Sequence, residues 1–162
     1  MNRRRSFDHA VVGLPPGTVS TVRSRSQAIS ATDYRALAQF RYLIRRFLAM
    51  SEEMAHQKGL TPQQHQLMLA IEGRDASAEP TIGYLAERLM IKHHSAVGLV
   101  DRLVAQGLVE REQAAADRRQ VLVRLTERGE TILRELSTSH RDELRVLAPH
   151  LVSALSSVVG VD

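Results

Sequence analysis

From Ser30 onward apolar residues recur every three or four positions, a period that predicts a chain built mostly of helices. Leu37, Phe40, Ile44, Phe47 and Met54 form a near-heptad stripe, opened by Ser30-x-x-Asp33 and closed by Lys58-Gly59. The result is a helix of about 25 residues, long enough to pack against a partner chain as well as its own core, or else an ordinary long amphipathic helix. Thr61-Pro62-Gln63-Gln64 is a second start, with an N-cap Thr, a Pro at the first helical position and a Gln at the third. Leu67, Ala70 and Ile71 carry the inward face of that helix, and Gly73 ends it. Thr81 opens a third helix with Ile82, Leu85, Ala86 and Leu89 inward. Met90-Ile91-Lys92 forms a short turn. A fourth helix runs from His93 to Gln106 with Ala96, Leu99, Val100 and Leu103 inward and Gly107 just beyond its end.

The period then changes. Leu108 to Glu112 reads as a strand, and Gln120 to Leu125 alternates with Val121, Val123 and Leu125 on one face. Ala114 to Arg119 lies between them as a hairpin tip. Thr126 caps a long helix with Ile132, Leu133, Leu136, Leu144 and Leu147 inward. Pro149 is expected to break it, leaving His150–Val159 as a short final helix.

A helix, a three-residue turn, a helix and a hairpin with a basic tip make a winged helix-turn-helix, so the fold expected is mainly α with a small β-hairpin wing. In such a head the second helix fits the DNA major groove and offers its N-terminal residues to base edges, while the hairpin reaches backbone or minor groove. His93, His94, Ser95 and Gly98 fall at that helix start as candidate base and phosphate contacts, or as a solvated polar face. Gly98 leaves a gap, so Val97 or His94 is expected to meet the bases, and Lys92 and Arg102 to meet phosphate. Arg111 is expected on phosphate or paired with Glu110 or Glu112. His93 and His94 are adjacent and point about 100° apart, which argues against a metal held by the pair. His56, His65, His140 and His150 lack H-E-x-x-H spacing, and no metal or cofactor is expected.

Composition narrows the classes. Of 162 residues, 43% are hydrophobic and 25% charged, a globular balance. There is no Cys, which removes disulfides, thiol catalysis and cysteine redox sensing. Aromatics are 4%, too few for single-strand stacking as the main activity. No Gly-rich phosphate loop, Ser/His/Asp motif or paired-carboxylate cluster points to an enzyme. The net charge of +4 resides in residues 1–30, which hold five Arg against Asp8 alone. That segment is a basic N-terminal arm, read as a flexible tail or as a contact to nucleic acid or a partner subunit. Arg4-Arg5-Ser6-Phe7 faintly resembles an export signal but lacks its apolar stretch, and no run is long enough to cross a membrane. The protein is expected in the cytoplasm.

Three stretches resemble the reading head of MarR-type transcriptional regulators: Thr81 to Leu89, Leu99-Val100-Asp101-Arg102-Leu103, and Gln106-Gly107-Leu108-Val109. The wing is similar too, with Asp117-Arg118-Arg119 followed by Val121, Leu125-Thr126 and Gly129, and Leu60-Thr61-Pro62-x-Gln64 matches the start of the family's second helix. The likeness spans about residues 33–159. It departs at Lys92, where the family usually has Ser or Thr, and at Gly98, where it often has Arg.

The resemblance implies a single domain over 31–162. Its head is 61–125, and its dimerisation helices are 31–58 and 127–159. It further implies a homodimer on an inverted repeat of double-stranded DNA, acting as a ligand-responsive repressor. Arg119 corresponds to the family's wing arginine, Asp117 to the residue that pairs with it, and Arg118 adds charge at the tip. A small aromatic or phenolic effector is expected between head and dimerisation region, with Tyr42, Arg45, Arg46, His65 and Met68 as candidate cleft residues, against ordinary core and interface packing. A winged-helix protein-interaction module and a non-specific architectural DNA-binding protein are the alternatives.

Overall fold

The computed structural model describes residues 29–113 and 120–159. Most of the arm and the hairpin tip, with Asp117, Arg118 and Arg119, therefore lie outside the described residues. Ala31 onward forms one compact unit. Its elements are α1 (Ala31–Gln57), α2 (Pro62–Glu72), α3 (Ile82–Arg88), α4 (His93–Ala105), β1 (Val109–Gln113), β2 (Val121–Leu125) and α5 (Glu127–Val159).

The local start and stop signals act as their chemistry requires. Thr61 Oγ1 accepts from the Gln64 amide, and the Gln64 side chain accepts from the Thr61 amide at 2.8 Å, a reciprocal capping box ahead of Pro62. Thr81 caps α3 through the Tyr84 amide at 3.1 Å. Gly59 and Gly107 sit at φ +73° and +67°, the left-handed conformation that ends α1 and α4 without a Cβ penalty.

β1 and β2 pair antiparallel with Val109 opposite Leu125 and Gln113 opposite Val121. Both strands begin one residue later than their alternation suggests. Leu122, expected outward, is buried: Thr81 bridges to it, and the Val123 amide donates to Pro80 O at 2.9 Å. The segment before α3 thus lies along β2 as a third partner, and β2 is covered on both faces.

Two apolar clusters result. The larger joins Leu67, Met68 and Ile71 of α2, Leu85 of α3, Leu99, Val100 and Leu103 of α4, and Val109 and Val123 of the wing, with Leu133 and Leu136 of α5 closing it. The smaller joins α1 to the far half of α5 through Leu43, Leu147 and Ala154, flanked by Phe40, Phe47 and Leu151.

Three expectations are corrected here. The buried seam of α1 runs through Ala36, Leu43 and Ala55, whereas Leu37 and Ile44 are 38% and 37% exposed. Those two lie about 100° round the helix from Ala36 and Leu43, so two adjacent stripes are both apolar and the fold buries only one. Leu144 of α5 is 37% exposed rather than inward. Finally, α5 is one helix of 33 residues that continues through Pro149. Pro149 removes one donor, but Pro149 and Arg145 both face solvent, so the Arg145 carbonyl is left where water reaches it. Packing of Leu147 and Leu151 against α1 holds the helix across that break.

Candidate nucleic-acid interface

The head presents the start of α4 outward. Leu89 caps the end of α3, and the chain reverses through Met90, which adopts φ 53° and is 91% exposed. That left-handed residue is what lets α4 leave at an angle to α3. Lys92 is the N-cap of α4 but gives no side-chain cap, and its carbonyl accepts from the Ser95 and Ala96 amides at 2.9 and 3.1 Å. The first turn of α4 therefore turns backbone donors to solvent beside the exposed Lys92, His93 and His94, with Ser95 and Gly98 half-buried. Arg102 is exposed two turns further on.

Arg111 does not pair with either neighbouring glutamate. Its Nη2 donates to Asp101 Oδ1 of α4 at 2.6 Å, which ties the root of the wing to the helix. Glu112 instead accepts from Arg124 across the hairpin. Gly98 is not an empty gap either, because a Cβ built there would stand 3.7 Å from Arg102 Nη1. The guanidinium folds back over the glycine. The sequence brings His93, His94, Gly98 and Arg102 onto one exposed helix as expected.

The expected effector residues are dispersed. Met68 is fully buried in the head's core, Tyr42 is 52% exposed, and Arg45 and Arg46 point to solvent. Of the set, His65 alone lines a cavity of about 510 Å³ between α1, α2 and α5 that the other four do not reach. Its walls include Phe47, Leu48 and Leu69 with Leu144 and Ala148, and Arg141 and Arg145 also line it. Phe47, Leu48 and Ser51 are the α1 residues facing it, and Tyr42 and Arg45 lie more than 100° round the helix from Phe47.

His140 was missed by the sequence reading and is central to this cavity. Its ring stacks on that of His65 with centroids 4.8 Å apart and planes 9° apart, and Phe47 meets it edge-on at 6.1 Å. Both histidines are buried, at 6% and 7% exposure. His140 Nδ1 lies 2.6 Å from the Leu136 carbonyl, which assigns the proton to Nδ1 and leaves the buried Nε2 an acceptor with no partner among the described residues. Burial, and secondarily the charge of His140, lowers the His65 pKa to about 4. The available signal was the spacing Leu133, Leu136, His140, Leu147, which sets a histidine in an otherwise apolar stripe. No cluster of three or more metal-ligating side chains occurs among the described residues. No helix there is long and apolar enough to cross a membrane.

Comparison with known proteins agrees with this architecture. The sequence model of the MarR family matches residues 58–120, from the end of α1 to the start of β2. An uncharacterized HTH-type transcriptional regulator of Bacillus subtilis, YsmB, is 31% identical over 93 residues, or 57% of this chain. The matched stretch spans 62% of that relative's length. A MarR family protein from Bacillus stearothermophilus superposes with a TM-score of 0.62 at 25% identity, covering 74% of this chain and 83% of that one. A mutant of MepR from S. aureus, solved bound to an oligodeoxyribonucleotide, shares the fold at a TM-score of 0.58 and 18% identity, over 72% of this chain and 82% of its own. The reading head over residues 58–120 thus matches the MarR family, and the helical frame around it superposes on that of a MarR family protein.

Proposed function

We propose that the protein is a sequence-specific DNA-binding transcriptional regulator that works in the cytoplasm as a homodimer on an inverted repeat, repressing until a small effector binds. The carrying observation is the exposed first turn of α4, with Lys92, His93 and His94 around open backbone donors and the wing root bound to the same helix through Arg111 and Asp101. Phosphate oxygens suit those donors and cations, and base edges suit the side chains one turn on. Arg118 and Arg119 extend the contact from the wing tip. Selection from random duplexes with the full-length protein should recover an inverted repeat. Arg119→Ala should weaken binding to the recovered site by about 1–3 kcal/mol without changing the melting temperature. Equal affinity of the wild type for selected and random DNA would favour the architectural alternative.

The dimer is supported by the second apolar stripe. Leu37, Ile44 and Leu48 of α1 and Leu144, Val152, Leu155 and Val159 of α5 are all more than a third exposed, large apolar side chains on two helices that pack against each other. A second copy would cover it. Leu155→Glu should convert a dimer to a folded monomer in sedimentation velocity; an unaltered dimer would remove the end of α5 from the interface.

The effector reading is supported by the cavity. Its apolar walls suit an aromatic ring, and Arg141 and Arg145 among its lining residues suit an anionic substituent. Because α2 belongs to the head and α5 spans both parts, occupation of this cavity bears on the angle between them.

A further inference from the structure

The structure assigns Arg102 to the reading of a guanine base, with Gly98 as the space that admits its guanidinium, an inference that rests on the proposed DNA-binding role. Ala96, Leu99, Val100 and Leu103 fix which side of α4 faces the core. At 100° per residue the opposite side passes through His94, Gly98 and Asp101, and Arg102 falls on its flank. Long side chains on a helix run back toward its N-terminus, over the preceding turn. Here that direction carries Arg102 Nη1 to within 3.7 Å of the position a Gly98 Cβ would take. The guanidinium therefore lies on the middle of the outward face, one turn from His94, and not at the margin where phosphates pass.

Its neighbour leaves it unclaimed. Asp101 is the nearest carboxylate in sequence, and it is held by Arg111 of β1 at 2.6 Å. Arg102 forms no ion pair among the described residues. A planar fork of donors at the centre of a groove-facing helix matches the O6 and N7 acceptors of guanine, the commonest specific contact in the major groove. A side chain that extends beyond a Cβ at position 98 would compete for the same space. Gly98 and Arg102 thus act as one reading unit, and Lys92 and His93 are left to the backbone.

The test is binding-site selection from random duplexes with the full chain, repeated for Arg102→Ala, Arg102→Lys and Gly98→Leu, each checked for an unchanged far-ultraviolet spectrum and thermal midpoint. The wild type should show a guanine at one position of each half-site, with replacement of that base costing about tenfold or more in affinity. Arg102→Ala and Gly98→Leu should abolish the preference at that position alone, and Arg102→Lys should retain only part of it because a point charge lacks the fork. Preservation of the full motif in Arg102→Ala, with all duplexes weakened alike and the slope of log affinity against log salt reduced by about one, would make Arg102 a phosphate contact and overturn the inference. A guanine preference that survives Gly98→Leu, or a relaxed position that is not guanine, would overturn it as well. A wild type that selects no motif would remove the DNA-reading role itself, a result distinct from the loss of this one assignment.

Discussion

Gly129→Ala is expected to destabilise the protein by about 3 kcal/mol, the upper range for forcing atoms into packed space. A Cβ at that position would collide with the carbonyl oxygen of Leu108 and stand 3.1 Å from its carbon, and neither is a flexible side-chain end. The approach is close because the first turn of α5 is bonded onto the end of α4. The Thr126 amide donates to that Leu108 carbonyl at 3.1 Å, and Thr126 Oγ1 donates to Gly107 O at 2.8 Å. The Gly129 amide in turn donates to Thr126 Oγ1 at 3.1 Å. A methyl group must therefore push the long helix off the wing root and break bonds that tie head to frame. The melting temperature should fall by about 6–12 °C. Gly83→Ala is the control: its nearest neighbour would be Thr81 Oγ1 at 3.8 Å, an ordinary contact, and the helix interior gains by losing a glycine. A Gly129→Ala protein as stable as the wild type would mean that α5 does not approach Leu108 so closely.

Acidification should cost a similar amount through His65. The unfolded chain binds a proton at this residue below about pH 6.5, and the folded one only below about 4. Between those values the unfolded state holds more protons, so stability falls as the pH falls through that window. It is unaffected by this residue above about pH 6.5. At roughly 1.4 kcal/mol for each unit of difference, the loss from this group approaches 3 kcal/mol at pH 4. The cause is local: the ring is buried, and it stacks on that of His140 of α5, whose charge adds to the effect. Glu135, exposed and held below the usual carboxylate range by its hydrogen bond and charge contact with Lys58, weakens the fold only at lower pH, where carboxylates protonate. Urea denaturation from pH 7 to pH 4 should show the loss in the wild type, and His65→Leu should remove most of it. An identical pH slope in the two proteins would sink the assignment to His65.

The sequence alone determined the pieces whose cause lies within a few residues. Thr61-Pro62-Gln64 and Thr81 satisfy the open amides of their own helices, Gly59 and Gly107 supply left-handed turns, and Ala96, Leu99, Val100 and Leu103 share one side of α4 by the helical period alone. These signals are local, so the head and the exposed start of its second helix are legible in a one-dimensional string, and so is the resemblance built on them.

What the tertiary structure decided concerns neighbours distant in sequence. α1 carries two adjacent apolar stripes, and only contact with Leu147 and Ala154 of α5 selects Ala36 and Leu43 over Leu37 and Ile44 for burial. Pro149 reads as a break because the missing donor is local, whereas the packing that carries α5 past it comes from another helix. His65 and His140 are 75 positions apart, and nothing near either one announces that their rings will stack. Gly98 looks vacant in the sequence, since the side chain that covers it comes from the next turn, and the neighbouring Asp101 is engaged by a strand. A local pattern sets which faces are apolar and where a helix begins and ends. Which face meets which, and which polar atom is left over, follows only when the elements close on one another and each buried group must find its partner among them.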